Sequence, residues 1–195
     1  SSAKLSGSSG VSANPTIEVD TGNLDDLAGK TVSFTLNGVR KSITFSDRKY
    51  TSISDVREEL NAQLQAVFGY GKITVTSMGN SISLAASNSQ LSISVPSDPA
   101  QDPSGVLNFG SYTSNRLSLS TAISGAGFAE NVVGEDGTVA FKINGKEFSF
   151  AASSSMNDIM KAINASDAGV KISYSTLTDS FTLTATETGA ASNIS

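Results

Sequence analysis

Cysteine, histidine and tryptophan are all missing from this 195-residue sequence. Without cysteine there is no disulfide framework and no thiol nucleophile. Without histidine as well, the triads and dyads of nucleophilic catalysis and the ordinary zinc sites cannot be assembled. Charge is scarce: Asp, Glu, Lys and Arg together make up 16% of the residues, against about a quarter in an average soluble protein. The 13 basic residues are outnumbered by 18 acidic ones, for a net charge of −5. Nucleic acid is excluded on that balance, because phosphate binding needs a basic face. No run approaches the ~18 consecutive apolar residues of a membrane span. The opening SSAKLSGSSG has no apolar core, so it is not read as a secretory signal. The expectation is a non-enzyme, with no catalytic, cofactor-binding or metal-ligating residues, no nucleic-acid partner and no membrane partner.

Serine, threonine and asparagine take the place of charge on the surface, and within this polar background one pattern occurs twice. TVSFTLNG at Thr31 to Gly38 matches TVAFKING at Thr138 to Gly145. Each alternates apolar and polar residues and ends in Asn-Gly, the strongest short signal for a type I′ hairpin. A two-residue loop at Asn144-Gly145 pairs Ile143 with Lys146, Phe141 with Phe148 and Val139 with Phe150, which gathers the large side chains on one face. The first copy pairs Val32 with Ile43 and Leu36 with Val39. It also puts Lys41 opposite Phe34, which calls either for a snorkelling lysine stem or for a bulge.

A helix follows each hairpin. Ile53, Val56, Leu60, Leu64 and Val67 form the apolar stripe of the first, with Ser52 as cap, Asp55 in the first turn and Gly69 as the stop. Met156, Ile159 and Ile163 form the stripe of the second, with Ser155 as cap and Asp158 in the first turn. Another hairpin comes next, in which Ile73, Val75, Ile82 and Leu84 correspond to Ile172, Tyr174, Phe181 and Leu183. The expected fold class is α+β, mostly antiparallel β, as two β-rich units that are each a strand-strand-helix-strand-strand repeat. The first unit is placed at residues 24–115, and the second at residues 1–23 and 116–195. Val95 to Gly105 and Ser124 to Gly137 read as loops, Leu117, Leu119 and Ile123 as a short strand, and Ile17 with Val19 as an edge strand. Phe141, Phe148, Phe150, Ile159, Ile163, Ile172, Phe181 and Leu183 are expected in one buried layer.

Several residues invite a sharper reading and are given the plainer one. Asp20, Asp25 and Asp26, or Glu135 with Asp136, lack the alternating spacing of a calcium loop and read as solvated turns. Glu58 and Glu59 beside Arg57 diverge by about 100° on a helix, so they form no catalytic carboxylate pair and read as a solvated face. Asn164-Ala165-Ser166 and Asn193-Ile194-Ser195 match a glycosylation pattern that serine-rich sequence generates by chance. Tyr70, Tyr112, Tyr174 and Phe128 are candidate stacking platforms for sugars. Tyr174 is assigned to the core, and Tyr112 is the one expected at the surface.

The second copy carries a resemblance. TVAFKINGKEFSF, followed by SSSMNDIMKAINASDAGVKISYSTLTDSFTLTATETGAASNI, resembles the bacterial flagellar filament-capping proteins (hook-associated protein 2). Val106 to Ser120, VLNFGSYTSNRLSLS, is similar to the segment that precedes this unit in that family. The first copy matches only in kind. The resemblance implies a structural component of the bacterial flagellum: the head or plate region of the filament cap, which promotes flagellin folding and insertion at the filament tip. It implies export without a cleaved signal peptide, an extracellular location at the distal tip, and partnership with flagellin and other cap copies. Neither terminus shows the apolar heptads of the family's leg helices, so the chain reads as the head alone, and as a monomer by itself. Host mucin or another glycan is a further expected partner. The alternatives are the outer variable domain of a flagellin or a hook-associated junction protein, and a surface adhesin or glycan-binding module.

Overall fold

The structure is a computed structural model that describes residues 10–110 and 113–186. They divide into two compact units: Asn14–Asn115, and residues 10–13 together with those from Arg116 onward. The fold is α+β, and every strand pairing among the described residues is antiparallel. Each unit contains one strand-strand-helix-strand-strand repeat.

In the first unit the repeat consists of β2 (Thr31–Leu36), β3 (Val39–Thr44), α1 (Ile53–Phe68), β4 (Thr74–Met78) and β5 (Ser81–Ala85). The hairpin register is the expected one, Val32 against Ile43, Phe34 against Lys41 and Leu36 against Val39, with no bulge. Asn37 and Gly38 both hold positive φ, 48° and 81°, as a type I′ turn demands. Phe34 is fully buried while Lys41 is exposed, so the lysine stem leaves the apolar face and the register is kept. Helix α1 begins where Ser52 accepts a hydrogen bond from the Asp55 N–H, and it ends at Gly69 with φ 101°. Its buried stripe is Val56, Leu60 and Leu64.

Three further strands complete this unit: β1 (Thr16–Val19), β6 (Leu91–Ser94) and β7 (Leu107–Asn108). Strand β6 pairs with β2, giving a sheet of order β3-β2-β6. Strand β1 lies between β5 and β7, in a sheet of order β4-β5-β1-β7. Residues 14–23 therefore belong with 24–115, which corrects the expected grouping of 1–23 with 116–195. The cause is the alternation of Ile17 and Val19, both buried, which makes β1 an interior strand covering Ile82 and not an added edge. Strands β6 and β7 have no counterpart in the sequence reading.

The second unit holds β8 (Thr138–Ile143), β9 (Lys146–Ala151), α2 (Met156–Ala165), β10 (Val170–Ser175) and β11 (Ser180–Ala185). The β8–β9 register is the expected one at Val139–Phe150, Phe141–Phe148 and Ile143–Lys146. Ser155 and Asp158 form a reciprocal capping box at the start of α2, which satisfies two otherwise orphan N–H groups. The last hairpin differs from its counterpart in loop length. Ser175 pairs with Ser180 across four residues, whereas Met78 pairs with Ser81 across two. Leu183 and Leu84 therefore face Ile172 and Val75, so the structural counterpart of Ile172 is Val75 and not Ile73.

Leu117, Leu119 and Ile123 do not form a strand. The Ser118 N–H bonds the Ala126 carbonyl and the Ile123 N–H bonds the Ser154 carbonyl, and Ile123–Gly125 winds into one 3-10 turn. The expected buried layer of the second unit is realised in part. Phe148, Ile159 and Ile163 are buried, whereas Phe141, Phe150, Ile172, Phe181 and Leu183 pack on the cluster half-buried. Among the described residues β8–β9 and β10–β11 are separate two-stranded ribbons. In the first unit the corresponding hairpins are extended, β2–β3 by β6 and β4–β5 by β1 and β7.

Candidate functional site

Asp20 and Asp136 tie down their own turns. Asp20 Oδ1 accepts from the Gly22 N–H at 2.9 Å, and Asp136 Oδ1 accepts from the Thr138 N–H and hydroxyl at 3.0 and 2.8 Å. Among the described residues, no group of three or more His, Cys, Asp or Glu could hold a metal ion. No helix among them is long and apolar enough to cross a membrane. Asn164 Nδ2 donates to the Ile172 carbonyl at 3.0 Å and its Oδ1 accepts from the Ile172 N–H at 2.7 Å, so that side chain fastens α2 to β10. Asn193-Ile194-Ser195 and Tyr112 lie outside the described residues.

Glu58 and Glu59 do diverge, but Glu59 is not on a solvated face. It is only 9% exposed, and its Oε1 accepts from the Ser46 N–H at 3.1 Å, the Ser46 hydroxyl at 2.5 Å and Gln63 Nε2 at 2.7 Å. Burial pushes the Glu59 carboxyl up; these bonds, helped by Arg48, outweigh it and hold the group below its ordinary value. Buried Tyr50 donates to the Ser46 carbonyl at 3.0 Å and meets Phe45 edge-on. The β3–α1 loop is thus pinned by a carboxylate and a phenol.

A second polar cluster centres on Asp179, buried and with φ 48°. Its carboxylate accepts from the Ser12 N–H at 2.9 Å and the Ser12 hydroxyl at 2.7 Å, and from the Tyr174 hydroxyl. That hydroxyl accepts in turn from the Leu117 N–H at 3.1 Å. Burial, and then the bond to Asp179, push Tyr174 up to about 12. Gly10 sits so close to Asp179 that a Cβ would clash with the carboxylate. Tyr174 is therefore a half-buried structural residue, as is Phe128, which stacks on Phe181 with centroids 6.3 Å apart.

Two concave surfaces among the described residues contrast in character. One is apolar, about 280 Å³, between the ribbons of the second unit, and is lined by Phe141, Met156, Ile172, Phe181 and Leu183 among others. The other, in the first unit, is a polar groove of about 430 Å³ between α1 and β4, lined by Arg57, Glu58, Asn61, Gln65, Tyr70 and neighbouring residues of β4. Tyr70 is 88% exposed at its rim. Sequence alone favours Tyr112 over Tyr70 as a surface contact, yet Tyr70 lies between Gly69 and Gly71, past the end of the α1 stripe, where no core face can take it in.

Comparison with known proteins gives limited likeness. No protein-family model matches the chain, and no curated protein matches it. Among solved structures, the flagellar cap protein FliD from Helicobacter pylori aligns with 94% of this chain at 14% identity and a TM-score of 0.31. The alignment covers 48% of that protein, so this chain spans about half its length. The FliD D2-D3 domains from Serratia marcescens align with 99% of this chain and 98% of theirs, at 12% identity and a TM-score of 0.28.

Proposed function

We propose that this chain is a head region of a bacterial flagellar filament cap, a structural and non-enzymatic part. The observation that supports it is the linked set of strings in the second copy, from TVAFKINGKEF through INASDAGV to YSTLTDSFTLTATETG, which resembles the capping family in order as well as in content. As far as the described residues go, those strings fall on consecutive elements of one folded unit, β8–β9, α2 and β10–β11, so the resemblance follows a supersecondary motif.

On this reading the chain acts by geometry. The buried clusters of the two units keep each β-rich body rigid, and rigid bodies arranged with other copies make a plate at the filament tip. An unfolded flagellin subunit confined below such a plate loses fewer conformations on folding than one in free solution, which favours its compact state. The partners are flagellin and further cap subunits. The location is the distal end of the flagellum, reached by export without a cleaved signal. Deleting the gene in the bacterium that encodes it should abolish filaments and release unpolymerised flagellin into the medium. Restoring the gene without this segment should fail to rescue them. Normal filaments in the deletion strain would refute the assignment.

A further inference from the structure

Asn-Gly occurs twice in the sequence, at Asn37-Gly38 and Asn144-Gly145, and each pair forms a hairpin turn with positive φ at both residues. The same dipeptide is chemically labile, because a glycine leaves its nitrogen unshielded by any Cβ. That nitrogen can attack the asparagine Cγ. The Cγ–Nδ2 bond then breaks, ammonia leaves with the proton that the glycine N–H gives up through water, and a succinimide ring remains. Water opens the ring at either carbonyl, giving aspartate or isoaspartate. The reaction needs only water and a side chain free to swing onto the next backbone nitrogen.

The two turns differ in that freedom. Asn37 is held at both ends of its amide, where Oδ1 accepts from the Gln90 N–H at 2.9 Å and Nδ2 donates to Ser89 Oγ at 3.1 Å. Its own N–H donates to the Gln90 carbonyl at 2.9 Å, which carries the β2–β6 pairing past Leu36 and Leu91 into the turn. Asn144 has a single side-chain tie among the described residues, Nδ2 donating to the Ala168 carbonyl at 2.7 Å. No strand among them pairs with β8 except β9, so the turn has no third strand to clamp it. The neighbouring ion pair of Lys146 with Asp167 is exposed and holds weakly. Local opening is easier where fewer bonds must break with it.

We propose that Asn144 is a site of spontaneous deamidation in the folded chain, and that the fold protects Asn37. The product alters its surroundings. Asn144 Nδ2 is the donor that fastens the β8–β9 turn to the connection between α2 and β10, and a carboxylate cannot donate to the Ala168 carbonyl. Isoaspartate would also lengthen the backbone of a turn that has two residues only. The change runs one way, so it loosens the second unit with time and leaves the first intact. It does not depend on the cap assignment.

The test incubates the full chain in water enriched in heavy oxygen at mildly alkaline pH, folded and in urea, before digestion in ordinary water. Heavy oxygen is then measured by mass spectrometry in the tryptic peptides Thr31–Arg40 and Ile143–Lys146. In the folded chain the Asn144 peptide should gain label about tenfold faster, the factor that one or two net hydrogen bonds represent. In urea the two rates should converge, because both asparagines precede glycine. Equal folded rates, a faster Asn37, or a difference that persists in urea would each overturn the proposal. Asn144→Asp should speed hydrogen exchange at the Lys146, Gly169 and Val170 amides and leave the β2–β3 amides unchanged. Unaltered exchange at those three amides would show that the Asn144 side chain is no clasp.

Discussion

Phe34 and Phe141 hold the same position in two copies of one strand-strand-helix-strand-strand unit, yet Phe34 is fully buried and Phe141 is only half-buried. The difference lies in what flanks them. Strand β6 pairs with β2 and sets Ile93 beside Phe34, while β1 covers the β5 side of the same core. Among the described residues no strand pairs with β8 or β11 except its own hairpin partner. One repeat thus gives a closed core in the first unit and an apolar groove in the second.

Truncation should read that difference out directly. Phe34→Ala should cost about 3–5 kcal/mol, the usual range for a buried aromatic. Phe141→Ala should cost less, about 1–2 kcal/mol, because part of its surface already faces solvent. Urea unfolding followed with a probe in each unit would measure both. Equal losses would contradict the burial difference.

Glu59 should make the first unit sensitive to acid. Its carboxyl lies lower in the folded chain than the ordinary glutamate value of about 4.3. A depressed carboxyl stabilises the fold above the unfolded value, and that stabilisation is lost as pH falls through the folded value. Glu59→Gln should therefore lose less stability than the parent between about pH 6 and about pH 3. The other lowered carboxyls, such as Asp55, Asp102 and Asp158, are common to both proteins and cancel in the difference. Parallel pH profiles would show that Glu59 carries no linked proton.

Asp179 should control the titration of Tyr174. Burial raises the phenol first, and the adjacent carboxylate raises it further, to about 12. Asp179→Asn keeps a side chain that tolerates positive φ and removes the charge, so Tyr174 should ionise at lower pH, though still above an exposed tyrosine. Asp179→Ala should in addition speed hydrogen exchange at the Ser12 amide. An unchanged absorbance titration in Asp179→Asn would contradict the coupling.

Periodicity carried most of the repeat into view before any coordinates. The Asn-Gly turns, the capping serines and the helix stripes are local signals, and the paired registers of β2–β3 and β8–β9 follow from them. What escaped was non-local. Strand β6 is four residues, LSIS, too short to stand out from a serine-rich background, and β7 is two. The Ile17–Val19 strand is legible as a strand, but its partners β5 and β7 lie some 60 and 90 residues away, and nothing local announces them. Glu59 is buried by a non-local partner: Ser46 reaches its carboxylate only once the β3–α1 loop folds back, and Gln63, one turn along α1, then completes the set. The exposure of Tyr70 has a local signal, its place between Gly69 and Gly71 past the α1 stripe, but the groove beside it is formed only when β4 packs along α1.

By itself the chain should remain monomeric at micromolar concentration. Among the described residues the exposed large apolar side chains, Val39, Tyr70, Met78, Val95, Val132 and Leu177, are scattered along the sequence, and the apolar groove of the second unit is small. Stable interfaces bury at least about 1,000 Å² around an apolar centre. Light scattering coupled to size exclusion should return the chain mass of 20.0 kDa. A stable pentamer or hexamer would show that these units alone hold a ring together.

The central claim, that this chain belongs to the cap at the filament tip, is tested most directly by where it sits on the organelle. Antibodies raised against the chain and labelled with gold should mark the distal ends of intact flagella in electron micrographs, one cluster per filament. Gold distributed along the filaments would instead identify an outer domain of flagellin, and gold on the cell body would identify a surface adhesin; either result would contradict the account.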